Sequence, residues 1–306
     1  KEPFIIKTEV EKTPDIITDI IEVPIEYYDR FDLDIIEGLR EFAGYRTAGR
    51  GQLFRSIEPL NRVCTIPNIL KDEILVLNFY DLEDKIINYF EDLTCLSDPI
   101  DPESFRFIHI DVGISNDKLG FACGHAIEKR ITYEDRLGKT LQKTVRFPVI
   151  DFTFAMKKPS TEEVSIPKLI DFILYIKNFY RYPIGRVSTD NFEGKVLRQF
   201  LRPHGINTAQ ISLENYETWD LVKACVLLRE CLLVDHSLMK KELIAIEDTG
   251  KKYDHPAFFN DNTLGSHDTA QANIAVIYQL LIAESKDLYM PNNFVKQLGI
   301  SLKGED

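Results

Sequence analysis

Three aspartates stand at the ends of predicted elements, in an order that suits chemistry at phosphorus. Asp111 closes a strand, Asp190 closes a second strand, and Asp268 opens a late helix. Hard divalent cations take oxygen ligands, and a pair of them about 4 Å apart needs several carboxylates converging from separate elements. Scattered acids cannot meet that need. The reading therefore depends on the elements that carry these three residues.

The surroundings of Asp111 are the most informative. Phe105 to Asp111 alternates apolar and polar residues, and the polar turn Ile114 to Lys118 follows. A second strand, Leu119 to Ile127, is rich in small residues, and a third, Val145 to Ala155, follows a charged hairpin. This pattern predicts a three-stranded antiparallel meander. Ser165 as N-cap and Pro167 in the first turn start an amphipathic helix through Phe179, which Pro183 ends. Ile184 to Asp190 is a short strand, and Gly194 to Arg202 a helix closed by Pro203, His204 and Gly205. A right-handed crossover sets this strand parallel to the first, so that Asp190 leaves the sheet beside Asp111.

Further along, Asn207 to Leu213 reads as a strand, Thr218 to Val234 as a helix, Leu238 to Ile246 as another helix, and Gly250 to Gly265 as a polar loop. Ser266 is the expected N-cap of the last helix. That places Asp268 in its first turn, near the positive end of the helix dipole.

With these residues in place, the chain resembles the ribonuclease H-like superfamily, and more specifically the nuclease part of a tailed-phage terminase large subunit. The matching text is Arg106 to Asp111 with Asp117 and Gly120, then Val187-Ser188-Thr189-Asp190, then Lys251 to Pro256 with Gly265-Ser266-His267-Asp268. Upstream, Ile20 to Glu26 and Leu39 to Gly44 are similar to the segment that links motor and nuclease in such proteins. The fold this implies is α/β, a mixed sheet with a three-strand antiparallel meander plus parallel strands, flanked by helices and preceded by an N-terminal linker subdomain.

The resemblance also implies a metal-dependent endonuclease that cuts concatemeric double-stranded DNA. Two divalent cations, Mg²⁺ or Mn²⁺, would be held by Asp111 bridging both, with Asp190 on one and Asp268 on the other. It implies as partners double-stranded DNA, a terminase ATPase domain, a small terminase subunit and the capsid portal, and as location the cytoplasm of the infected bacterial host. The sequence departs from the family pattern twice. Gln271 stands where family members often carry another acid, and no Gly-x-x-x-x-Gly-Lys-Ser/Thr loop is found. The chain is accordingly read as a C-terminal part, with residues 1–100 a linker or appendage left from the connection to an ATPase motor, and residues 101–306 the nuclease domain. Within the first hundred, Tyr28 to Phe42 and Ile86 to Phe90 read as helices, Ile74 to Phe79 as a strand, and Arg46 to Arg55 as a loop.

Auxiliary candidates are weighed against plain structural roles. Asp254 and His255 either reach the site or anchor the loop that ends at Pro256, while His267 either orients water or phosphate or simply precedes the helix. His109 shares the strand face of Asp111 and is either a site residue or a hydrogen-bonded strand residue. Asp117 reads as a turn former ahead of a metal ligand, and Asp151 as an acid on the solvent side of its strand ahead of one that faces the site from the sheet.

The net charge of −12 argues against a DNA-binding protein, since phosphate contacts come from a basic face. Bound cations reverse the sign locally, and the basic residues are unevenly spread. Lys139, Lys143 and Arg146 lie on the hairpin, and Lys195, Arg198 and Arg202 on the helix after Asp190. Either set could line a DNA groove or be ordinary solvated charge. A chain of 306 residues, 44% hydrophobic, can bury a full core; no apolar run long enough for a bilayer is present, and five cysteines without zinc spacing read as buried thiols. Two other classes stay open on residues alone: a junction resolvase or transposase with the same acids, and a non-catalytic adaptor that docks on a capsid portal.

Overall fold

The computed structural model describes residues 4–6, 21–23, 27, 51–76, 88, 90–112, 119–134, 139–157, 166–190, 194–254 and 267–289. It divides into two compact units, Lys1–Arg50 and Gly51–Asp306. In the first, β1 (Phe4–Ile6) pairs antiparallel with β2 (Ile21–Val23). The helix expected over Tyr28 to Phe42 lies outside the described residues, as do Asp117, His255, Ser165 and Ser266.

The second unit is a mixed α/β structure. Among its described residues are the short helices α1 (Glu58–Val63), which runs into β3 (Cys64–Ile66), and α2 (Thr94–Ser97). Its centre is a meander of β5 (Arg106–Val112), β6 (Leu119–Glu134) and β7 (Thr140–Lys157), antiparallel at both joints. Helix α3 (Ile166–Phe179) then crosses over to β8 (Ile184–Thr189), which lies parallel to β5. Helix α4 (Gly194–Leu201) and a 3-10 turn lead to β9 (Asn207–Gln210), parallel to β8. On the far edge β4 (Ile74–Val76) adds parallel to β7, giving the order β4-β7-β6-β5-β8-β9. Meander and parallel strands are as the alternation predicted; β6 and β7 simply run further than their apolar cores.

Helices cover both faces of this sheet. On one face α3 buries Leu169, Ile170, Phe172, Ile173 and Ile176, at helical spacing, against Ile108, Ile110, Phe121 and Phe154. The other face holds the remaining long helices: α5 (Tyr216–Leu227), α6 (Ser237–Ala245) and α7 (Asp268–Ile282). Helix α7 is apolar on nearly every side, burying Ala270, Ala272, Ile274, Ala275, Val276, Ile277 and Leu280, because it is wedged between the sheet and helices α5 and α6.

One predicted helix is corrected. The stretch from Thr218 to Val234 is helical only to Leu227. Arg229 takes a left-handed backbone (φ 57°), which ends the helix, and Leu233–Val234 form β10, paired with β3. Pairing across the chain has overridden a locally helical apolar pattern. The loop expected from Gly250 also begins as a small hairpin, β11 (Glu247–Asp248) with β12 (Tyr253–Asp254), turned by Gly250 at φ 81°. All five cysteines are free, and no described helix is long and apolar enough to cross a membrane.

Candidate active site

Strand alternation sends Phe107, His109 and Asp111 to the face covered by α7, and Ile108 and Ile110 to the opposite core. Asp111, 4% exposed, sits opposite Gly120 on β6. On its other side β8 runs parallel, with Thr189 level with Ile110, so Asp190 emerges beside Asp111 and the two carboxyls share a hydrogen bond. Asp268 comes from the third direction. It is the first residue of α7, and the helix start is pressed against β6: a side-chain carbon on Gly120 would lie 2.0 Å from the Asp268 carbonyl oxygen. His267, rather than the expected Ser266, occupies the N-cap position.

A fourth carboxylate joins these. Glu242 on α6 is buried, and its Oε2 accepts the Ala270 backbone N–H at 2.8 Å, satisfying one of the free donors at the start of α7. The sequence reading missed it, although a signal existed. Glu242 follows Leu238 and Met239 at helical spacing, on the face of α6 that is buried, where an acid needs a partner.

Together these groups hold the Asp111 carboxyl well above the usual carboxylate range. Burial is the largest cause, followed by the charges of Asp268 and Asp190, the Asp190 hydrogen bond and the charge of Glu242. Asp111 Oδ2 is buried with no hydrogen-bond partner. An orphaned carboxylate oxygen among further oxygen donors, in a place where negative charge is disfavoured, fits a hard divalent cation. Among the described residues, no three His, Cys, Asp or Glu side chains form a ready-made cage for an ion. The acids are close enough to govern one another's protons without being drawn to a single point.

Behind the acids the face is pinned by neutral polar groups. Ser188 Oγ gives its one proton to the Ile108 carbonyl (3.1 Å), so it accepts from Gln279 Nε2 (2.7 Å) and from His109 Nδ1 (2.8 Å). Burial drives the His109 pKa down to about 3, so the ring is a neutral strand residue tying β5 to β8 and α7. Asn273 donates to Thr153 Oγ1 (2.9 Å), which donates to the Phe121 carbonyl (2.8 Å), fixing α7 to β6 and β7 as well.

The auxiliary candidates meet each other. Asp254 lies 2.8 Å from Lys252 Nζ and 3.6 Å from His267 Nε2, and the His267 ring also contacts the Gln271 side chain. This joins β12 to the start of α7, and Gln271, the departure from the family pattern, takes part in that junction.

Asp151 does not face solvent. It lies on the α3 side of the sheet, 3.4 Å from Arg106 Nε and 3.0 Å from His125 Nδ1, both fully buried. Arg106 also donates to the carbonyls of Asp101 (2.6 Å) and Ser104 (2.7 Å). The acid is the counter-ion of a buried guanidinium, which alternation alone could not reveal.

The basic candidates separate. Arg198 donates to Thr189 Oγ1 (2.9 Å), next to Asp190, and Lys195 is exposed one turn earlier on α4. Arg146 has a structural role of its own. Its Nη1 donates to the carbonyls of Leu281 (3.0 Å) and Ala283 at the end of α7, and Nη2 lies 3.7 Å from Glu128. Lys143, on β7 opposite Ile131, and exposed Lys139 lie toward the hairpin tip. Counted along β6 from the level of Asp111 at about 3.3 Å per residue, Lys143 is roughly 36 Å away and Lys139 roughly 50 Å.

No protein-family model matches the chain, and no curated relative does either. Among solved structures it is similar to the large terminase nuclease of thermophilic phage G20c with bound magnesium, at 12% identity and a TM-score of 0.45, over 76% of this chain and 98% of that one. The HK97 bacteriophage large terminase is similar at 9% identity and a TM-score of 0.45, over 83% of this chain and 48% of that one. The nuclease domain of the Thermus phage P74-26 large terminase is similar at 13% identity and 0.43, over 79% and 100%.

Proposed function

We propose that this chain is a metal-dependent DNA endonuclease of a viral genome-packaging terminase. The observation that carries the reading is the buried Asp111 carboxyl, hydrogen-bonded to Asp190, facing the charge of Asp268, with one oxygen left without a donor. Asp111, Asp190 and Asp268 would hold two divalent cations, Mg²⁺ or Mn²⁺. Bound there, such cations would supply acidification of a water and compensation of the charge that gathers on the phosphoryl oxygens and the leaving 3′ oxygen.

The protein's own part is placement. β5 and β8 deliver two carboxylates from one sheet edge, α7 delivers the third, and the neutral Ser188, His109 and Gln279 network keeps the strands and helix in register without adding charge. Lys195 and Arg198 would meet the phosphates beside Asp190, and Asp254 and His267 would support the start of α7. In this reading the connection with an ATPase motor lies within residues 1–50, because residues 51–100 pack with the nuclease in one compact unit and so move the expected boundary from 100 to 50. The substrate is concatemeric double-stranded DNA, met in the cytoplasm of a bacterial host together with the small terminase subunit and the capsid portal.

The test is cleavage of supercoiled plasmid with Mg²⁺, Mn²⁺ or chelator, comparing the wild type with Asp111→Ala and Asp268→Ala. Metal-dependent nicking and linearisation, abolished in both variants, is expected. A folded chain that cuts under no metal refutes the enzyme reading for this chain, and preferential cutting of four-way junctions would move it to the resolvases.

A further inference from the structure

We infer that Glu242 is a positioning residue, whose reach to the Ala270 amide, rather than its charge, seats Asp268 against Asp111. The inference rests on the nuclease reading for its consequence, and on the fold alone for its geometry. Asp268 is the first residue of α7, so the direction of its side chain is set by how that first turn is held. His267, at the N-cap position, makes no side-chain cap hydrogen bond there. The missing acceptor comes instead from another helix: Glu242 Oε2 takes the Ala270 N–H at 2.8 Å, in a place shielded from water.

Helix α6, which carries Glu242, is itself fixed at its start. The Glu73 carboxylate accepts from the Ser237 N–H (2.6 Å), the Leu238 N–H (3.1 Å) and the Ser237 hydroxyl, and His236 Nδ1 accepts the Met239 N–H (3.1 Å). Two carboxylates thus act in series. Glu73, just before edge strand β4, anchors α6, and α6 anchors the turn that presents Asp268. An acid chosen only for charge would add to the repulsion around Asp111; one chosen for reach is tolerated because its hydrogen bond to a backbone donor offsets part of that repulsion.

Two variants separate reach from charge, and both keep a polar side chain of similar bulk. Glu242→Gln keeps the reach and loses the charge, whereas Glu242→Asp keeps the charge and is one methylene too short. Backbone amide exchange at Thr269 to Gln271, measured on the metal-free full chain at neutral pH, is the primary readout. Exchange in Glu242→Gln is expected to stay close to wild type, and in Glu242→Asp to be about tenfold faster. Plasmid cleavage is expected to fall in the same order, with the Asp variant lowest. Protection that is equal in all three proteins, or that is lost in Glu242→Gln, overturns the inference. A wild-type chain that never cuts DNA sinks the nuclease reading instead, and the exchange comparison still decides the part played by Glu242.

Discussion

Gly120 and Asp268 touch backbone to backbone: a Cβ on the glycine would stand 2.0 Å from the carbonyl oxygen and 2.3 Å from the carbonyl carbon of the aspartate. Because Gly120 is also the partner of Asp111 across the sheet, this one missing side chain lets the helix start approach the strand end closely enough for the two acids to interact. At Gly124, further along β6, the crowding comes from the neighbouring strand instead: a Cβ would meet the Val149 carbonyl of β7 at 2.5 Å.

Gly120→Ala therefore has no room that a side chain could yield. The helix start must shift, at a cost of about 1–3 kcal/mol in stability. Misplacement of a reacting group by about 1 Å costs on the order of 100-fold in rate. The expected result is a folded protein with a lowered unfolding midpoint and about 100-fold slower metal-dependent nicking. Wild-type nicking by the alanine variant would show that the close approach is not what assembles the acids.

Asp111 is held in conflict with its surroundings, and relieving that conflict should stabilise the fold while ending the chemistry. Asp111→Asn removes the charge that burial, Asp268 and Asp190 all oppose. In metal-free buffer its thermal midpoint should rise, by roughly 2–4 °C for each kcal/mol relieved in a chain of this size. Nicking should vanish. A midpoint several degrees lower than wild type would mean that Asp111 is needed as a structural acceptor, which contradicts its orphaned oxygen.

The parts of this arrangement that could be read from sequence are those set by local periodicity. Alternation from Phe105 to Asp111 placed β5 and its face, and the break at Pro183 placed β8 with Asp190 at its exit. The apolar run after Asp268 placed α7. What could not be read depends on tertiary pairing. The turn at Arg229 and the pairing of β10 with β3 cut short an apolar stretch that is helical by spacing, and Arg106 made a buried counter-ion of an acid that alternation cannot distinguish from a surface one. Arg146 looked like a groove-lining cation, yet the carbonyls at the end of α7 claim it. Glu242 was legible in principle, as an acid on the apolar face of its helix.

The buried cluster around Asp151 yields a pH prediction. Burial pushes its carboxyl up, but the Arg106 charge, then His125 and a hydrogen bond from it, outweigh burial and leave it below the usual range. A carboxyl lowered on folding contributes stability that is present above its unfolded pKa and is lost as pH falls through its folded value. Asp151→Asn should cost about 3–5 kcal/mol near neutral pH, because it leaves Arg106 buried without its counter-ion. The gap between wild type and variant in urea unfolding should narrow below about pH 4. A gap that persists unchanged into acid would assign the loss to packing.

Salt dependence tests which cations meet DNA. Each phosphate contact contributes about 0.9 to the slope of log affinity against log salt for duplex DNA. Lys195→Ala with Arg198→Ala, beside Asp190, should flatten that slope by about 1.8 on any duplex that fills the site. Along the sheet from the level of Asp111, Lys143 lies roughly 36 Å away and Lys139 roughly 50 Å. At about 3.4 Å per base pair, a duplex centred on the acids must exceed about 20 base pairs to reach Lys143 and about 30 to reach Lys139. Replacing both with alanine should leave short duplexes unaffected and weaken only longer ones. Measured in Ca²⁺, to hold the DNA uncut, an equal effect of the hairpin pair on duplexes of about 12 and about 40 base pairs would place the DNA along the hairpin instead of across the acids.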